Sequence, residues 1–113
     1  MKELIEAVRE LAHEENLRGI EEFGLFASNH EGIAVIEEEL QEAREEIKEA
    51  QKRFKNLKSG IFKDEMDETK LIHASELFDK CVLTACEIIQ TSAMAQKYIE
   101  TKKQKGEGLT VVK

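Results

Sequence analysis

Apolar residues recur at steps of three and four along most of the chain, the period of an α-helix buried along one stripe. The pattern predicts an all-α fold. A first helix is expected roughly from Lys2 to Leu17, with Leu4, Ile5, Val8, Leu11 and Ala12 as its apolar stripe. Gly19 and Gly24 then bracket a loop, IEEFGLFASN. Its Ile20, Phe23, Leu25 and Phe26 are too apolar to stand free in water, so they should plug one end of a core or face a partner chain. Ser28-Asn29-His30-Glu31 fits a capping box, in which Ser28 and Glu31 each satisfy an orphan backbone N–H, and opens a second helix. Along it Ile36, Leu40, Ala43, Ile47, Ala50, Phe54 and Leu57 alternate steps of four and three, a heptad seam. Ser59-Gly60 is the expected stop. A third helix should begin between Ile61 and Glu68 and run to about Lys103. From Cys81 to Gln96 its only formal charge is Glu87, so this part should be buried on several sides, by the first helix and a second protomer. The expected architecture is a long antiparallel hairpin of the second and third helices plus the N-terminal helix, completed into a bundle by oligomerisation. A single domain over 1–105 and a frayed tail or docking arm over 106–113 complete it.

Composition narrows the partners. At 113 residues, one domain is the expectation. No apolar run is long enough to span a membrane, and the N-terminus is charged from its second residue, which points to a cytoplasmic protein. The net charge is −7 and uneven: residues 1–50 carry 15 acids against 5 bases, and residues 51–113 carry 9 against 12. One tyrosine, no tryptophan and this acidity argue against nucleic-acid binding. Cys81 and Cys86, five apart on a helix, do not share a face; buried free thiols are expected rather than a zinc site. His13, His30 and His73 are scattered, and there is no phosphate-binding glycine loop.

The acids are the remaining chemistry. On a helical wheel Glu38, Glu45 and Glu49 fall opposite the seam and should be solvated. Val35, Glu39, Glu42 and Glu46 form a strip beside the seam, where a neighbouring helix would partly cover them. On the third helix Glu76 and Asp79, three apart, can converge on one ion. Glu87 is an ionisable group in an apolar stretch, costly unless something cationic or donating satisfies it. A hairpin turn centred on Ser59 would set Glu39 opposite Asp79 and Glu42 opposite Glu76; one nearer Lys63 would set Glu39 opposite Glu87. Either register faces acids with acids, and a divalent cation would remove the conflict.

Glu39-x-x-Glu42 followed by Glu76-x-x-Asp79 resembles the MazG-like all-α nucleoside triphosphate pyrophosphohydrolases, over roughly residues 28–100. Through HEGIAVIEEELQEA and ACEIIQTSAMAQK the chain also looks like small proteins encoded in prophages of Gram-positive bacteria. The resemblance implies a helical homodimer or homotetramer that binds Mg2+, with Mn2+ as a substitute, and splits an NTP or dNTP into monophosphate and pyrophosphate. It makes Glu39, Glu42, Glu76 and Asp79 metal ligands, with Glu87 joining them or anchoring the site from behind. Glu39 and Glu42 double as groups that orient the attacking water or take its proton. Lys80, Lys97 and Arg53 are the candidates to meet the outer phosphates, with Lys52 and Lys55 behind them. Two alternatives stand beside this reading: a non-catalytic phage-type helical interaction or inhibitor protein, and a nucleotide-binding relative without turnover.

Overall fold

The computed structural model describes residues 1–106 and contains three helices there: α1 (Lys2–Phe23), α2 (Asn29–Phe62) and α3 (Asp67–Gln104). The all-α expectation holds for the described residues. The expected tail lies outside them, apart from Gly106. No helix among the described residues is long and apolar enough to cross a membrane. The helices divide between two compact units, Met1–Glu39 with the chain from Ile89 onward, and Leu40–Ile88.

The first unit joins α1, the loop, the start of α2 and the end of α3. α1 continues past the expected end at Leu17 to Phe23, supported by an Arg18–Glu15 ion pair at 2.7 Å one turn apart. It stops at Gly24, whose φ of 75° is the left-handed value that glycine adopts freely; the Gly24 N–H donates to Ile20 O at 2.7 Å. Ser28 then caps α2 by accepting from the Glu31 N–H at 3.1 Å. The Glu31 carboxylate returns not to Ser28 but to the Ala27 N–H at 3.3 Å. Phe26 is the plug of this unit at 1 % exposure. Its N–H donates to Thr101 Oγ1 at 3.1 Å and its carbonyl accepts from Lys105 Nζ at 2.6 Å, so both backbone groups of the buried loop residue are satisfied by α3 and its end. Of its apolar loop neighbours, Phe23 remains exposed. Ala12 of α1 and Ala93 of α3 complete the buried apolar set of this unit, and the Gln90 amide donates to Glu15 at 3.0 Å.

The second unit consists of the later part of α2, a short turn and the earlier part of α3. Its cross-helix pairs step up α2 as they step down α3: Glu46 with Lys80, Arg53 with Glu76, and Glu65 of the turn with His73. α2 does not stop at Ser59-Gly60. It runs to Phe62, and the reversal is made by Asp64, which takes a positive φ of 52°, while the Glu65 N–H donates back to Gly60 O at 2.9 Å. Gly60 is buried inside the helix, where a Cβ would collide with the Glu65 carboxylate and crowd His73. A glycine that reads as a stop signal is there to let a neighbouring side chain approach.

Two helical stretches can cover only one strip of each other, and burial follows from that. Ala43 is the only large-helix apolar residue of this unit that is closed off, at 1 % exposure. Within the single chain Val82, Leu83 and Ile88 stay open, in the stretch that the first helix and a second protomer were expected to cover. Cys81 and Cys86 are exposed free thiols rather than buried ones, because their five-residue spacing sends them to different faces and this unit offers one covering helix.

Candidate metal centre

Carboxylates converge in the second unit. The strip beside the seam carries Glu42 and Glu46 of α2 towards Glu87 of α3. Glu42 and Glu87 each offer a carboxylate oxygen within 4.8 Å of the other. Glu39, one turn earlier in the sequence of α2, belongs to the first unit. Glu42 is exposed, whereas Glu39, Glu46 and Glu87 are half-buried.

The electrostatics mark Glu87 as the strained member. Its carboxyl is pushed above the ordinary glutamate value, first by burial, then by the charge of Glu42, a hydrogen bond shared with it, and the charge of Glu46. Glu46 has one oxygen that is buried without a hydrogen bond; the Lys80 ammonium lies 3.8 Å from that oxygen, close enough for charge attraction but not for a hydrogen bond. Three acids gather here, and Lys80 lies beside one of them, Glu46. Hard carboxylate oxygens at this spacing, one of them lacking a donor, are a donor set that suits a divalent cation of the magnesium type.

Other candidates go elsewhere. Glu76 is held by Arg53 in an ion pair of 2.8 Å, so each is engaged by the other. Asp79 is exposed. The register that faced Glu42 with Glu76 fails because the turn lies beyond Phe62, which moves every α3 partner further along the chain. The later register comes nearer: within this unit Glu42 meets Glu87. Of the bases proposed for phosphates, Lys80 faces Glu46. Lys97 belongs to the first unit, where it is buried at 6 % exposure with its ammonium 4.5 Å from the Phe26 ring centroid, a cation–π contact. It lines a cavity of about 400 Å³ whose wall also includes Glu39, Val35, Gln90 and Met94.

Glu46 was absent from the candidate ligands although the helical wheel already set it on the strip with Glu39 and Glu42. Its signal was that position together with the basic residue one helix away. No family model, no curated protein and no solved structure matches the chain.

Proposed function

We propose that this chain is a divalent-cation-dependent nucleotide pyrophosphohydrolase that cleaves an NTP or dNTP to monophosphate and pyrophosphate, working as a helical oligomer. The observation that carries the reading is the Glu42–Glu87 pair of the second unit, with the orphaned oxygen of Glu46 beside it. Glu42 and Glu87 would hold Mg2+ or Mn2+, and Glu46 would steady them. When bound, the cation supplies charge neutralisation for the triphosphate and for the leaving pyrophosphate. The chain's own part is to fix the oxygens and to keep one carboxylate free of strong ion pairing. Exposed Glu42 is the one placed to orient a water or accept its proton. Lys80, half-buried beside Glu46, is the nearest base to this site for a phosphate oxygen.

The test is pyrophosphate release from a panel of NTPs and dNTPs with Mg2+ and with Mn2+, beside a Glu42→Gln variant. Release by the parent chain and a loss of at least about a hundredfold in the variant support the reading. Binding of metal and nucleotide without release would instead identify a nucleotide-binding relative without turnover. A second reading, a non-catalytic helical interaction protein, draws on the Arg53–Glu76 pair, which uses an expected ligand as a structural ion pair. Absence of any metal-linked rise in melting temperature would favour it.

A further inference from the structure

The cavity beside Lys97 is walled by residues of the first unit alone. Its volume of about 400 Å³ is that of a small-molecule site, which takes about 300–1,000 Å³. α1 contributes Gly19 to the wall, the loop Phe26, the start of α2 Val35, and the end of α3 Met94 and Lys97. The exposed residues Glu22 and Phe23 of the wall mark its mouth.

Lys97 is the residue that asks for a ligand. Its side chain is closed off to 6 % exposure, and what remains open faces this cavity. A buried ammonium is costly unless its N–H donors are met. The Phe26 ring meets one side, 4.5 Å from the ammonium to the centroid. A ring face is not a hydrogen-bond acceptor of carboxylate strength, and among the described residues the ammonium takes part in no ion pair. Its other donors are left to an acceptor that enters the cavity.

The acids on the wall restrict what can enter. Glu15 is engaged by Arg18 at 2.7 Å and by the Gln90 amide at 3.0 Å. Beyond that pair the wall carries Glu22, Glu31 and Glu39 against the one ammonium of Lys97. A simple anion would satisfy Lys97 but be repelled by these carboxylates. A simple cation would suit the carboxylates but bring no acceptor to Lys97. A molecule with both charges a few bonds apart answers both demands. Phe26, Val35 and Met94 offer the rest of it an apolar surface.

We infer that this cavity binds a free α-amino acid with an apolar side chain, its carboxylate on Lys97, its ammonium towards the glutamates and its side chain against Val35 and Met94. Binding here needs neither the cation nor the nucleotide of the proposed reaction.

The experiment titrates the full chain, in chelated buffer without nucleotide, by calorimetry and by melting temperature. The probes are leucine, methionine and phenylalanine. Two analogues of leucine accompany them: 4-methylpentanoate, which lacks the ammonium, and 3-methylbutylamine, which lacks the carboxylate. At least one amino acid should bind with a dissociation constant of about 1 mM or below, and each leucine analogue at least about tenfold more weakly than leucine. Lys97→Met keeps the length of the buried side chain and should weaken amino-acid binding at least about tenfold. Gly19→Leu is the second variant and leaves every charge in place. A Cβ at Gly19 meets only the Met94 Cε, at 3.9 Å, so a leucine there can fill the cavity at a helical position that prefers it to glycine. That variant should keep or raise the melting temperature and lose the binding. No binding of any of the three amino acids at about 10 mM overturns the inference. So does either leucine analogue binding as tightly as leucine, or amino-acid binding that survives Lys97→Met or Gly19→Leu.

Discussion

Glu87→Gln isolates the acidic group, since it keeps the shape of the side chain and removes one charge. At 4.8 Å, the upper limit of their separation, two unit charges repel by about 0.9 kcal/mol in water and about 3.5 kcal/mol at an effective dielectric of 20. Glu87 is half-buried and Glu42 is exposed, so screening holds the figure near the lower end, about 1 kcal/mol. A glutamine amide can also donate to Glu42 at all pH values. In chelated, metal-free buffer at neutral pH the variant should therefore melt about 4–6 °C above the parent chain. The pH dependence has a definite sign. The Glu87 carboxyl is raised above the ordinary 4.5, so the stability it contributes is complete below that value and is lost as pH rises through the raised one. The gap between variant and parent should be widest at neutral pH and close below about pH 4.5. On the proposed reading magnesium should reverse the order: a ligand at a hundredfold excess over its dissociation constant would add about 2.7 kcal/mol to the parent, and the variant should gain much less. Differential scanning calorimetry with and without Mg2+ reads all of this. A variant that melts below the parent in chelated buffer would refute the view that the two acids repel one another there.

Further outcomes concern the scaffold. Phe26→Ala should cost about 3–5 kcal/mol in urea denaturation, since it empties the plug of the first unit and removes the ring beneath Lys97. Thr101→Val keeps the volume but strands the buried Phe26 N–H, and should cost about 1–3 kcal/mol by the same measurement. Ser28→Ala removes the cap that accepts from Glu31 and should cost about 0.5–2 kcal/mol, with faster amide exchange confined to the first turn of α2.

Local physics determined much of this protein from sequence alone. The three-and-four spacing set the helices, because burial of one stripe leaves that period whatever the partner is. The capping box at Ser28 set the start of α2, and the strip arithmetic put Glu39, Glu42 and Glu46 together on one helix. Gly60 and the fate of the α3 acids were another matter. A glycine inside a helix and one at its end look alike in sequence, and only the passage of Glu65 across Gly60 separates them. Once α2 runs on to Phe62, the partner of every α3 residue changes, so Glu76 meets Arg53 and Glu87 meets Glu42. Register is a property of two helices at once, and no periodicity within either one contains it. The same holds for the cysteines and for Val82, Leu83 and Ile88: periodicity says a residue is to be covered, while tertiary structure decides whether its own chain does the covering.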